Sequence, residues 1–257
     1  MAQSGDGIAL ADQPGALEDY RRELTGYCYR MLGSGFEADD AVQETMLRAW
    51  RSSAQFEGRS SVRSWLYRIA TNVCLDMLRG RRRRARPMEV GPSSPPDESF
   101  LGDMLPEHMW VSPIADDRIL PVDADPAEVV EARDTIRLAF VTALQHLPPR
   151  QRAALVGLLH EDAVQNMPPF AMWVHGAQNI TTWMVQPGPS ACRGSRLIPV
   201  RANGCPAFGQ YKPDPAGGHA PWALQVLEIS GGRIARMTLF LDTAALFPSF
   251  GLPAHLP

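Results

Sequence analysis

The stretch DDAVQETMLRAW (Asp39–Trp50), followed after a short loop by GRSSVRSWLYRIATNVCLDMLRGRRRR (Gly58–Arg84), decides the reading of this chain. Apolar residues recur in both at helical spacing, so two helices stand back to back. The earlier one is expected over about 37–51. Its buried stripe is Ala38, Val42, Thr45, Met46 and Ala49, and Glu37, Asp39 and Asp40 sit in its first turn, where acids suit the helix dipole. Outward stand Asp39, Asp40, Gln43, Glu44, Leu47 and Arg48. That face suits docking on a basic partner helix and equally reads as an ordinary solvated surface.

The later helix starts at a capping serine, Ser60 or Ser61, and buries Leu66, Ile69, Ala70, Val73 and Met77. Trp65, Arg68, Asn72, Asp76 and Arg79, three or four apart, are expected as one surface row. Trp65 and Tyr67 offer faces on which an unpaired base can stack, worth roughly 1–3 kcal/mol per base. Asn72 can pair with a base edge, while Arg63, Arg68 and Arg79 can meet phosphates. From Arg79 to Arg86 six of eight residues are arginine, an electrostatic footprint for a polyanion. The bland reading uses the same residues: a core tryptophan, a helix-surface asparagine and a solvated basic end.

Working outward, helical pattern begins near Pro14 and runs to Leu32, where Gly33-Ser34-Gly35 stops it. Residues 1–13 read as a loose tail. Pro87 to Pro126 holds eight prolines and many acids, the composition of an extended linker. Within it Trp110, Val111, Ile114 and Ile119 are candidates to pin it to a neighbour. Helix is expected over 127–147, broken by Pro148-Pro149 and resumed in RQRAALVGLLHE (150–161). Strands follow at 163–167, 197–202, 207–211, 222–229 and 234–241, with a Gly231-Gly232 hairpin turn and a short helix at 176–184. Helices first and strands later give an α then α+β multidomain chain.

The 257 residues suffice for one large domain or two modest ones. Net charge is −3, but it is segregated: residues 14–87 hold fourteen arginines against nine acids, and residues 88–135 twelve acids against two arginines. An acidic strap between two differently charged bodies is implied. Cys28, Cys74, Cys192 and Cys205 have no CxxC spacing, so neither a metal site nor a disulfide framework is expected. No secretion signal and no membrane-length apolar run is written in the sequence, which places the chain by default in a reducing cytoplasm.

From Tyr20 to Arg84 the chain closely resembles region 2 of the extracytoplasmic-function sigma factors of bacterial RNA polymerase. The resemblance is carried in order by YRRELTGYCYRMLGS, DDAVQETMLRAW, the F-x-G-x-SS-x-R-S-WLYRIATN block and the basic tail. It implies that Asp40, Gln43, Glu44, Leu47 and Arg48 bind the clamp of the core polymerase's largest subunit. It also implies that Phe56, Ser61, Arg63, Trp65, Arg68, Asn72 and Arg79 open and read −10 promoter DNA; the run Arg81, Arg82, Arg83 and Arg84 adds its charge to that interface. WVSPIADDRILPVDADPAEVVEARDTIRLAFVTALQHLPPRQRAAL (Trp110–Leu155) resembles the linker and the opening of region 4. HEDAVQNMPPFAMWVHGAQNI and LEISGGRIARMTLFLDTAALFPSFGLP resemble a SnoaL-like α+β cone, an order similar to the sigma-G-type proteins of actinobacteria.

The implied domains are region 2 over 14–87, an acidic linker over 88–126, a truncated start of region 4 over 127–156 and a partial SnoaL-like domain over 157–257. Where the family continues into the helix-turn-helix that reads the −35 element, this chain passes directly into VGLLHEDAV, read as the end of the cone's first helical part. Roughly 80–90 residues are missing by that comparison. Loss of the cone's covering helices would leave apolar strand faces exposed. In the C-terminal part His160, Asp162, His175, His219 and Asp242 are scattered candidates for acid–base work, with no spacing that fixes a site. Trp173, Trp183, Met184, Phe208 and Tyr211 could line a small-molecule pocket or simply be core. No catalysis, cofactor or metal is expected.

Overall fold

A computed structural model describes residues 14–53, 56, 60–79, 84–119, 158–185, 192 and 194–257. The chain forms two bodies. One is helical, comprising residues up to Arg84 joined by 117–119; the other is built on a sheet, comprising 85–116 and the C-terminal part. This is the α then α+β order expected. The region 127–156, assigned from sequence to the truncated start of region 4, lies outside the described residues.

In the helical body a 3₁₀ stretch, Pro14–Tyr20, leads into α1, Arg21–Leu32. Gly33 ends α1 in a left-handed conformation (φ 70°), its N–H closing on the Tyr29 carbonyl. Ser34 then starts α2, Gly35–Ser52, its Oγ accepting from the Glu37 N–H. Ser61 does the same for α3, Val62–Leu78, accepting from Ser64. The core is Leu24, Cys28 and Leu32 of α1, Ala38, Ala41, Val42 and Ala49 of α2, and Leu66, Ala70, Val73 and Cys74 of α3. Thr45 shares that buried stripe because its Oγ1 donates to the Ala41 carbonyl at 2.7 Å, so no polar atom is left bare. Ile119 returns to pack over Gly26 of α1.

A single helical turn, α4 (Pro87–Val90), opens the sheet body. The strands are β1 (Leu159–Asn166), β2 (Trp173–His175), β3 (Arg196–Ala202), β4 (Cys205–Pro213), β5 (His219–Ser230) and β6 (Arg233–Phe240), in sheet order β2-β1-β6-β5-β4-β3. All neighbours are antiparallel except β1 with β6. Both Gly231-Gly232 and Asn203-Gly204 have positive φ at both positions, which suits the right-handed twist of a two-residue hairpin. The reading of 150–161 as helix is corrected at its end: residues 159–161 belong to β1. A short apolar run fits either element, and here the partners β2 and β6 decide.

Each face of the sheet is covered. On one, α5 (Ala177–Val185) sets Ile180, Trp183 and Met184 against Ala163, Phe208, Ala223, Leu227 and Met237. On the other, α6 (Thr243–Ser249) sets Leu246 and Phe247 against Tyr211 and Leu224. Leu252 seals that face over Gly209, where a Cβ would stand 2.6 Å from Leu252 Cδ1. The exposed strand faces expected from the missing segment are therefore not observed: no strand residue is among the exposed large apolar side chains of the described residues.

Residues 85–116 are extended, as their composition implies, but they are part of the sheet body. Ser94 N–H donates to the Trp173 carbonyl at 2.8 Å and Trp173 Nε1 to the Gly91 carbonyl at 2.8 Å, so the chain is held at the β2 edge. Leu105 N–H donates to Pro169. At the β3 edge Ile114 and Asn203 exchange hydrogen bonds, and Asp116 accepts from the Gly204 N–H at 2.7 Å and pairs with Arg201 at 2.8 Å. Trp110 and Ile114, picked as anchors, are buried. Covering both edge strands in this way blocks strand addition by another chain.

Candidate functional site

The outward face of α2 carries the residues assigned to partner binding. Asp40, Gln43 and Leu47 are exposed, and Glu44 and Arg48 are half-buried. Glu44 Oε1 accepts from Arg48 Nε at 2.6 Å, and Arg48 also reaches Asp76 of α3 at 3.5 Å. Trp50, 62% exposed, was not singled out from sequence, although it lies three residues beyond Leu47 and seven beyond Gln43. Leu17, Arg21, Gln43, Met46, Leu47 and Trp50 border an open groove of about 260 Å³, with Glu18 at its rim. The lining is apolar at Leu17, Met46, Leu47 and Trp50, and polar at Gln43 and at Glu18, which pairs with Arg21. Asp39 is paired with Arg118 and Glu37 with Arg84, so these two acids face the chain's own arginines.

On α3 the surface row differs from expectation at its first member. Trp65 is 7% exposed, and its ring lies 4.9 Å from that of Phe56, also buried. Neither ring is presented to solvent for base stacking; both belong to the helical core. The exposed row is Arg68, Asn72, Leu75 and Arg79, with Asp76 alongside. Leu75, 50% exposed, is an apolar contact that the sequence reading passed over.

Tyr67 is also committed. Its hydroxyl donates to Glu23 Oε1 at 2.6 Å and its ring meets Tyr27 edge-on at 4.8 Å. Tyr27 in turn hydrogen-bonds Thr71 at 2.8 Å. Arg63 pairs with the same Glu23 and lies 5.3 Å over the Tyr67 ring. The Arg63 hydrogen bond, and then that of Tyr67, hold the Glu23 carboxyl below the usual carboxylate range. Burial, and then Glu23, push the Tyr67 phenol up.

Of the arginine run, Arg81, Arg82 and Arg83 lie outside the described residues. Arg84 is corrected: its guanidinium is nearly buried and pairs with Glu37 at 2.9 Å, so it braces the helical body. Arg79 is exposed and leans on Asp76 at 3.3 Å. Arg68 and Ser61 are exposed, the latter also serving as the α3 cap.

In the sheet body His160, Asp162 and His175 come together at the β1–β2 end, with His175 Nε2 3.8 Å from Asp162 and the Asp162 N–H donating to His160 Nδ1. All three are outside the core. His219 lies at the start of β5, and Asp242 caps α6. The five candidate pocket residues do not share one lining: Trp183, Met184 and Phe208 pack on the α5 face, Tyr211 packs against Phe247 on the α6 face, and Trp173 holds the strap.

Residues 16–84 match sigma-70 region 2. The ECF RNA polymerase sigma factor SigG of Mycobacterium tuberculosis (strain H37Rv) is 37% identical over 315 residues, covering 93% of this chain and 83% of the relative. SigW of Bacillus subtilis (strain 168), also an ECF RNA polymerase sigma factor, is 38% identical over 82 residues, 32% of this chain and 42% of the relative. Among solved structures, the extracytoplasmic function sigma factor SigJ of Mycobacterium tuberculosis covers 93% of this chain and 99% of its own, at 17% identity and a TM-score of 0.49.

Proposed function

The chain belongs to the extracytoplasmic-function sigma factors of bacterial RNA polymerase and serves transcription initiation; from that premise we propose that its helical body divides the work between two helices. Helix α2 binds the clamp of the core polymerase's largest subunit through Asp40, Gln43, Glu44, Leu47 and Arg48, with Trp50 added. Helix α3 meets −10 promoter DNA through Ser61, Arg63, Arg68, Asn72 and Arg79, with Leu75 as the apolar contact and the run Arg81–Arg83 supplying charge. Phe56 and Trp65 support α3 from within the core. The protein acts in the cytoplasm, beside the polymerase, and carries out no catalysis of its own.

The observation that carries this reading is the solvent exposure of Leu47 and Trp50 beside acids and an amide on one helix face. Two large apolar side chains held in water on a folded helical body are explained by a partner that covers them. Leu47→Asp with Trp50→Ala in the full chain is expected to weaken binding to purified core polymerase by at least about tenfold, with unchanged helicity and melting temperature. Unchanged affinity would remove α2 as the docking face.

Promoter choice rests on −10 contacts. The alignment with the Mycobacterium tuberculosis relative runs over 315 residues while this chain has 257, so it opens gaps in this chain. That supports loss of a segment such as the −35-reading helix-turn-helix. Run-off transcription with core polymerase is expected to depend on the −10 sequence and to tolerate a scrambled −35. Core binding without any transcript would instead assign the chain as a module that occupies polymerase without starting it.

A further inference from the structure

The turn between β3 and β4 is Asn203-Gly204. Of the chain's four asparagines, only Asn203 is followed by glycine. That dipeptide loses its amide most readily, because a glycine has no side chain to hinder its nitrogen from reaching the asparagine Cγ. The nitrogen gives up its proton, attacks Cγ and expels ammonia, closing a succinimide ring. Water then opens the ring on either side and leaves aspartate or isoaspartate. The net change is uptake of water and loss of ammonia, with no oxidant or enzyme required. Asn203 and Gly204 are both exposed, and a Cβ built on Gly204 would meet nothing within 4 Å, so solvent reaches the reacting atoms.

The strap closes on this turn. Asn203 Oδ1, the oxygen of the reacting amide, accepts from the Ile114 N–H at 3.2 Å, and the Asn203 N–H donates to the Ile114 carbonyl at 3.1 Å. Ala115 bridges to Ala202. The Gly204 N–H, whose nitrogen must attack, donates to Asp116 Oδ1 at 2.7 Å. Asp116 is buried, and Arg201 of β3 holds its other oxygen, with Nε 2.8 Å from Oδ2. A carboxylate bonded to an N–H also opposes loss of that proton, since the resulting anion would face a negative charge. Both the attacking nitrogen and the attacked amide are therefore tied to the strap.

We propose that Asn203-Gly204 is a self-modification site gated by the strap: it deamidates only in molecules whose residues 114–116 have lifted from the turn, and the product keeps them from returning. Either product places a new negative charge beside Asp116, which Arg201 already pairs. Isoaspartate also runs the backbone through Cβ. The turn is then longer, and the Asn203 and Gly204 N–H groups no longer face Ile114 and Asp116 together. A transient opening thus becomes a permanent one, and the β3 edge that the strap had covered is left unpaired. This site is independent of the polymerase reading and is tested without polymerase.

Because opening precedes reaction, the observed rate is the rate of the open turn multiplied by the fraction of molecules that are open. The same opening governs exchange of the Gly204 amide hydrogen, since that N–H must leave Asp116 in both processes. Deamidation asks in addition that the Asn203 amide leave Ile114. It must therefore be slowed by the fold at least as much as Gly204 exchange is.

The test incubates the full chain at neutral pH as wild type, Asp116→Ala and Asp116→Asn. Mass spectrometry follows the peptide that contains residue 203, and resistance to cleavage at aspartate marks the isoaspartate. Wild type in concentrated urea gives the rate of the open turn. Native wild type is expected to react at least about tenfold more slowly than in urea, and Asp116→Ala at least about fivefold faster than native wild type. Asp116→Asn keeps an acceptor for Gly204 and is expected between the two. Equal rates for wild type and Asp116→Ala, with β4 and β5 amides still protected in both, would overturn the gate. Where Asp116→Ala does not fold, wild type decides alone: deamidation slowed less than Gly204 exchange would overturn the gate equally. The deamidated wild type, separated by its added charge, is expected to exchange amides faster over residues 112–116 while β4 and β5 are unchanged. Unaltered exchange over 112–116 would overturn the release of the strap.

Discussion

The two bodies treat polarity in opposite ways. The helical body leaves Phe36, Leu47, Trp50 and Leu75 in solvent, while none of its described side chains has a buried polar atom without a partner. Among the described residues of the sheet body the exposed large apolar side chains are Val90, Phe100 and Met104, all on the strap and none on a strand. Its interior holds Gln165 Oε1, Asn166 Oδ1 and Gln225 Oε1 without hydrogen-bond partners. Apolar surface kept in water and polar atoms kept from water are both unfavourable, and folding alone explains neither. The helical body is unfinished on its outside, which suits macromolecular partners. The sheet body carries its unmet polar atoms on its inside.

The largest test of that contrast is Trp65→Ala. With its ring buried against Phe56, truncation is expected to destabilise the helical body by about 3–5 kcal/mol. Asn72→Ala and Arg68→Ala, on the exposed row, should stay within about 0.5 kcal/mol. Urea unfolding with hydrogen exchange resolved onto α1–α3 measures both. Equal small losses at all three positions would mean that Trp65 faces outward after all.

Next in size, and opposite in sign, is Gln165→Leu in the sheet body. Removing an unmatched buried acceptor in favour of a side chain of similar volume should raise stability by about 1–3 kcal/mol. A loss of that size instead would show that the oxygen has a partner and that the sheet body is no less satisfied inside than the helical one.

How far the sequence exposes this contrast can be traced through individual residues. Gly33, Ser34 and Ser61 announce helix boundaries because their roles are local: a left-handed stop and two side-chain caps. Trp65 is harder. On a helical wheel it lies between the buried row through Leu66 and Ala70 and the exposed row through Arg68 and Asn72. The side it joins depends on Phe56, which arrives from a loop that periodicity cannot place. Arg84 was hidden among its neighbours for the same reason, since its partner Glu37 is distant in sequence. In the strap, composition correctly implied extension, but nothing local shows that Ser94 and Ile114 find the two edges of a sheet. Five of the six strands were legible from their apolar patterns, the last two joined at the Gly231-Gly232 turn, while β2 (Trp173–His175) was missed; the Lys212–Trp222 pair depends on a register irregularity that no pattern encodes.

A smaller effect is expected for Ser61→Ala, which removes the α3 cap and should cost about 1 kcal/mol. Ser61→Asn should retain most of that stability, because asparagine caps as well. If both variants lose −10 DNA binding equally while only the alanine loses stability, the hydroxyl contacts DNA in addition to capping.

The smallest and most directional test is the pH dependence of the Glu23 network, the point where α1 is tied to α3. The folded-state pKa of Glu23 is lowered, chiefly by Arg63 and then by Tyr67. Its contribution is therefore present above the unfolded carboxyl pKa and lost as pH falls through the folded one. The Tyr67 pKa is raised, by burial and then by Glu23, so its contribution is present below the unfolded phenol pKa and lost as pH rises through the folded value. The stability difference between wild type and Glu23→Gln should accordingly be flat through neutral pH and shrink toward zero in acid. Because the Arg63–Glu23 pair is solvent-accessible, added salt should reduce that difference as well. A difference that persists below the folded carboxyl pKa would mean that α1 and α3 are joined there by packing of Tyr27 on Tyr67 rather than by charge, leaving Arg63 free to meet phosphate.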